Sequence, residues 1–203
     1  GKPVNLSLEA LLGNKKNQAF FEADNWVEVL RGKQIGDEFG ISFIYKSGGD
    51  DYQRLDELKQ AGIKLILPLE YPEAWDLSDS YSESRIPLSA LLHWEAAPAN
   101  AELVRRAGIP FVLSLHKLNT EAKMKEAFQK TIQAGLPGKE LLRALTETPA
   151  AWLGVSALTG DLKKGKMANF LISSDTLGSS NMFILESWVQ GQRFVYQDAS
   201  QQD

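Results

Sequence analysis

No cysteine occurs among the 203 residues. Disulfides, thiolate nucleophiles and cysteine-ligated zinc are thereby excluded, while either redox compartment stays compatible. Histidine is nearly absent too: His93 and His116 are the two present, and any imidazole chemistry rests on them. Positive charge is not in excess. Twenty-two Lys and Arg against 26 Asp and Glu leave a net charge of −4, which argues against nucleic acid as a partner, since nonspecific binding needs a basic face. No run of about 18 apolar residues is available to span a membrane. The opening Gly1-Lys2-Pro3-Val4 lacks an initiator Met and does not read as a signal peptide. The expectation is a soluble chain without a targeting segment, cut from something longer, with its compartment open.

What is there is a hydrophobic fraction of 43%, ordinary for a globular domain with a sizeable core. The length has room for one domain and a small appendage. Four short apolar runs have strand length and carry aromatic or β-branched residues: 18–23 (QAFFEA), 41–47 (ISFIYKS), 64–70 (KLILPLE) and 109–116 (IPFVLSLH). Helical spacing separates them. Residues 25–39 place Trp26, Val27, Leu30 and Ile35 on a rough three-to-four spacing, though Gly32 and Gly36 weaken the pattern. Residues 51–61 align Leu55 with Leu58, and residues 98–107 align Ala101, Val104 and Ala107. The phrase Ala-Gly-Ile recurs at 61–63 and 107–109, each time closing a helix and opening a strand, with 37–41 (DEFGI) a looser copy. Strands alternating with helices imply a parallel sheet built through right-handed crossovers. The Ser-, Asp- and Glu-rich stretch 76–87 reads as a loop. Helices are expected over 120–134 and 138–146, with a short third after Pro149, and then short strands at 169–173, 182–190 and 192–197, with Gly191 at a turn.

Residues 141–174 read LLRALTETPAAWLGVSALTGDLKKGKMANFLISS. They resemble the C-terminal signature of the metal-dependent amidohydrolases of the imidazolonepropionase-like branch, in which a helix ends in "ALT.NPA..LG" and "G.I..GK.ADLVV" then enters a small β-sandwich. The matching residues are Ala144-Leu145-Thr146, Thr148-Pro149-Ala150, Leu153-Gly154, Gly160 and Gly165-Lys166, with Asn169 where that family usually has Asp. Residues 189–196 (VQGQRFVY) resemble the family's closing hairpin, 50–63 (DDYQRLDELKQAGI) the helix after its sixth barrel strand, and 93–111 the approach to its eighth. The resemblance covers nearly the whole chain. It implies an α/β fold: a partial TIM-like (β/α) barrel of strands five to eight over residues 1–160, followed by a small β-sandwich-like appendage over 161–203.

In such a barrel the active site lies at the C-terminal ends of the strands. The family takes a His from strand five, a His from strand six and an Asp from strand eight to hold zinc or a similar ion. The residues matching these positions are Glu22, Ser47 and His116, all changed in type, and the His-x-His pair of strand one falls outside the chain. The resemblance therefore implies lost metal ligands and no cofactor for this chain alone, with zinc expected if the complete protein is active. Glu22 on an apolar strand must be solvated, paired or protonated; a relic of the pocket and a simple ion-pair partner are both open readings. Glu70, Trp75, His93 and Trp94 are candidates for ligand binding at the strand ends. Residues 47–50 (SGGD) precede a helix but lack the phosphate-loop lysine.

An open half-barrel exposes two strand edges and an unfilled inner face. Alternation suggests Phe20, Phe43, Tyr45 and Val112 for that face. The cover would come from the rest of a larger amidohydrolase-like protein, from a second copy, or from the chain's own residues 77–92. Three functions follow from these expectations. The first is a domain fragment, non-catalytic alone, serving assembly or ligand binding in a larger hydrolase. The second is a metal-dependent hydrolase of C–N bonds in a cyclic amide or peptide, completed by another segment or chain. The third is a small-ligand binding module.

Overall fold

The computed structural model describes residues 5–13, 17–75 and 85–196. A short helix α1 (Leu6–Gly13) precedes strand β1 (Ala19–Glu22). Then come helix α2 (Trp26–Phe39), strand β2 (Phe43–Lys46), a 3-10 turn at Asp51–Gln53, helix α3 (Leu55–Gln60) and strand β3 (Leu65–Pro68). Helix α4 (Leu88–Ala96), a 3-10 turn at Ala97–Ala99 and helix α5 (Asn100–Ala107) lead to strand β4 (Phe111–Ser114). Helices α6 (Glu121–Gln133), α7 (Gly138–Leu145) and α8 (Glu147–Trp152) follow, and strands β5 (Phe170–Ser173), β6 (Ile184–Val189) and β7 (Gln192–Val195) close the described chain. Helices α1 and α4 were not expected from the sequence. Most of the 76–87 loop lies outside the described residues.

Strands β1 to β4 form one parallel sheet in sequential order, and β5 to β7 form a separate antiparallel sheet. Side chains alternate across a strand, and the register fixes the faces. Phe21 pairs with Tyr45, Tyr45 with Leu65, and Leu67 with Leu113. This row packs with Val29 of α2, Leu58 of α3, Val104 of α5, Phe128 of α6 and Leu141 of α7 in one buried cluster. The opposite face carries Phe20, Ile44, Ile66 and Val112, which pair in register as Phe20 with Ile44 and Ile66 with Val112. Phe20 is 54% exposed there. Phe43 and Tyr45 therefore belong to the helix-covered face and not to the other, as had been expected: they sit one residue out of phase with Phe20 and its partners.

The glycines that weakened the α2 pattern have a packing role. A Cβ on Gly32 would lie 2.8 Å from the Phe21 ring, and one on Gly36 would lie 2.6 Å from the Ile41 carbonyl oxygen. Their absence of side chain lets the helix approach the sheet, which outweighs the roughly 1 kcal/mol propensity cost of each. The helix begins at Asn25, whose side chain accepts from the Glu28 N–H. It ends at Gly40 in the left-handed region, with the Ile41 N–H returning to the Gly36 carbonyl. Gly108 closes α5 in the same way, the Ile109 N–H returning to Val104. The repeated Gly-Ile phrase is thus a helix stop followed by a hydrophobic strand start.

In the small sheet, Phe170 stacks on Trp188 at 5.4 Å. Gln190 and Gly191 both take positive φ between the paired Val189 and Gln192, the geometry a two-residue hairpin turn requires.

Candidate functional site

The strand ends bring two different environments together. On the face carrying Phe20, Glu22 and Lys46 are register partners. The Lys46 ammonium donates to Glu22 Oε1. That hydrogen bond and the ammonium's charge hold the Glu22 carboxyl below its usual range, with the charges of His116 and Lys117 acting in the same direction. His116 is exposed just beyond β4, its backbone N–H donating to Ser114 Oγ at 3.2 Å.

Ser47 points the other way, being one residue out of phase with Lys46. Its hydroxyl is buried and donates to Asp51 Oδ2 at 2.7 Å. Asn100 Nδ2 donates to the same oxygen at 3.0 Å, while Asn100 Oδ1 accepts from the Tyr52 N–H at 2.8 Å. Asp51 is fully buried, and its second oxygen, Oδ1, has no hydrogen-bond partner. Burial pushes this carboxyl up, against the pull of Asn100 and Ser47. Next to it, Asp50 Oδ1 accepts from the Trp26 N–H at 2.9 Å, tying the end of β2 to the start of α2. Gly48 makes that approach possible, since a Cβ there would lie 1.9 Å from the Asp24 carbonyl oxygen.

Glu22, Ser47 and His116 are thus near one another in the chain's topology but differ in chemical commitment. One carboxylate is held by an ammonium, the hydroxyl is turned into the interior, and one imidazole is in solvent. Among the described residues, no three His, Asp or Glu side chains gather closely enough to hold a metal ion. A zinc centre needs three or four converging neutral or anionic donors. With Glu22 held by an ammonium, Ser47 turned into the interior and His116 in solvent, these three described residues do not fit a metal.

The second environment is a cleft of about 630 Å³, within the size range of small-ligand sites. Gly48, the segment after β3, His93, Lys117 and one side of α6 line it. It brings together two of the expected binding residues, Glu70 and His93. Trp75 and Trp94 are exposed and do not line it. His93 sits on α4, stacked on Tyr52 with the Tyr52 hydroxyl 3.1 Å from Nδ1. That contact engages one ring nitrogen and leaves Nε2. Tyr71 forms part of the lining, its hydroxyl 2.7 Å from Thr131 Oγ1, and burial pushes its phenol up to about 12. Lys117 holds a left-handed backbone (φ 65°) and places its ammonium 3.0 Å from Glu70. A non-glycine residue in that region stores on the order of 1 kcal/mol of strain, and such residues concentrate at functional sites.

Sequence reasoning did not single out Lys46, Asp51, Asn100, Lys117 or Lys123. Period-two alternation from Ile44 would have placed Lys46 beside Glu22. Asn100 gave no signal, because its partners lie about 50 residues away in the chain.

The fold is similar to part of the fold of solved amidohydrolases. No protein-family model and no curated protein matches the chain. The crystal structure of an amidohydrolase from Thermotoga maritima MSB8 superposes on 97% of this chain and 49% of its own length, with a TM-score of 0.73 at 18% identity. A prolidase complexed with N-methylphosphonate-L-proline covers 89% of this chain and 45% of its own, with a TM-score of 0.55 at 14% identity. A further amidohydrolase covers 79% and 41%, with a TM-score of 0.52 at 18% identity. The likeness is one of fold. The chain spans about half the length of these solved structures.

Proposed function

We propose that this chain is the strand-five-to-eight half of an amidohydrolase-like barrel, non-catalytic by itself, that serves assembly or ligand binding in a larger hydrolase. The barrel half corresponds to residues 1–160 and the appendage to 161–203. The observation that carries the reading is the Lys46–Glu22 ion pair at the ends of β1 and β2. The lysine supplies a positive charge from within the protein to the carboxylate that matches one of the metal-ligand positions. The inward hydroxyl of Ser47 and its bond to Asp51 point the same way. Exposed Phe20 and the outer edges of β1 and β4 favour a covering partner: the rest of a larger protein or a second copy of the chain.

Elemental analysis after incubation with zinc and removal of the excess tests the proposal. Substoichiometric metal, equal in the wild type and in His116→Ala, is expected. Stoichiometric zinc that His116→Ala abolishes would overturn it in favour of a metal-dependent hydrolase of C–N bonds, completed by another segment or chain.

A further inference from the structure

The cleft between the segment after β3 and helix α6 is lined by charges of both signs. Glu70 and Glu73 come from the β3 side, while Lys117, Lys123, Glu126 and Lys130 come from the β4 end and α6. Two charge pairs are closed within the protein: Lys117 with Glu70 at 3.0 Å, and Lys130 with Glu126 at 2.8 Å. Two charges are left over. Among the described residues, neither Glu73 nor Lys123 has an ion-pair partner within 4 Å; Lys123 reaches Glu126 only through its longer-range field. One unmatched carboxylate therefore stands on one wall and one unmatched ammonium on the other. His93, with Nδ1 engaged by Tyr52, and Lys117, held in its left-handed backbone conformation, line the same cleft.

We infer that this cleft binds a small zwitterion, a molecule carrying one ammonium and one carboxylate, with the ammonium toward Glu73 and the carboxylate toward Lys123. A simple anion meets Lys123 but also faces the Glu73 and Glu126 carboxylates. A simple cation meets the reverse. Only a ligand bearing both charges satisfies both leftover groups, and like-charge juxtaposition selects against the others. His93 Nε2 and the Tyr71 to Ala74 backbone supply hydrogen-bonding groups. The site makes no use of Glu22, Ser47 or His116, so it stands whether or not the chain holds a metal.

The test is a calorimetric titration of the whole chain in the presence of EDTA. The probes are glycine, β-alanine, 5-aminopentanoate and glycylglycine, which step the charge separation upward. Acetate, methylammonium and inorganic phosphate serve as single-charge-sign controls. At least one zwitterion is expected to bind saturably, roughly tenfold or more tighter than every control. Glu73→Gln and Lys123→Met should each weaken that binding by about tenfold, with unchanged far-UV circular dichroism and melting temperature. Lack of saturable binding by any zwitterion would overturn the inference. So would phosphate or acetate binding as tightly as the best zwitterion, or binding that both variants leave intact. Because zinc retention is measured separately and EDTA is present here, failure of this site is distinguishable from failure of the metal-free reading.

Discussion

Asn100→Ala probes the claim that Ser47 and its neighbours are structural. Asn100 joins α5 to the turn after β2 through two hydrogen bonds, a buried one to Asp51 Oδ2 at 3.0 Å and a half-buried one from the Tyr52 N–H at 2.8 Å. A hydrogen bond to a carboxylate contributes about 1.5–3 kcal/mol and a neutral one about 1. Truncation also leaves the half-buried Tyr52 N–H without its acceptor. The expected cost is about 3 kcal/mol, or roughly 9 °C in melting temperature for a chain of this size. Ser47→Ala removes one donor to the same oxygen and should cost about 1.5 kcal/mol. The two donors serve one atom, so the double variant should depart from additivity by at least about 0.5 kcal/mol. Urea denaturation with an unchanged m-value measures all three. A cost below about 1 kcal/mol for Asn100→Ala would mean that the network does not hold the strand ends together, and the structural assignment of Ser47 would fall with it.

Gly48→Ala should destabilise by about 2 kcal/mol or more, because the new methyl meets the Asp24 backbone oxygen at 1.9 Å and backbone cannot give way as a side chain can; chemical denaturation reads it, and a neutral result would mean that the two loops are not in contact. The Asp51 carboxyl, pushed above 3.8 by burial, binds its proton more tightly in the folded state than in the unfolded one. Its stabilising effect is therefore fully present below pH 3.8 and is lost as pH rises through the folded-state value. Melting temperatures of the wild type and Asp51→Asn between pH 7 and 4 should show the wild type gaining on the variant as the pH is lowered, whereas a constant offset would place the Asp51 shift elsewhere.

The parallel sheet was legible because its signals are local. Hydrophobic runs of strand length, helical spacing between them and the repeated Gly-Ile stop all lie within a few residues, and β1 to β4 fall inside the four runs read from the sequence. Helix α4 was missed because its apolar residues do not mark a buried face: Leu88, Leu92 and Trp94 are exposed, and none of its residues is buried. Of the binding candidates read from the sequence, Glu70, just after β3, and His93, on α4, line the cleft, whereas no local pattern pointed to Asn100, Lys123 or Lys130. Those residues are placed by packing between distant elements, and no spacing rule carries that information. The orientation of Phe43 and Tyr45 failed for a related reason: alternation fixes which residues share a face, but only the packing of α2 through Gly32 and Gly36 decides which face is covered.

The sequential order of β1 to β4 has a consequence for how the chain acquires its shape. No strand has to be inserted between two already paired ones, so each new strand meets a finished edge as its template. During synthesis the sheet can lengthen by one strand and one helix at a time as the chain leaves the ribosome, the widest reach in the register being from Leu65 to Phe111. After each step the growing edge is again a parallel strand, ready for the next. Among the described residues the outer edge of β4 is left unpaired, so a parallel strand from the covering partner would continue the same sheet without disturbing the pairings already made.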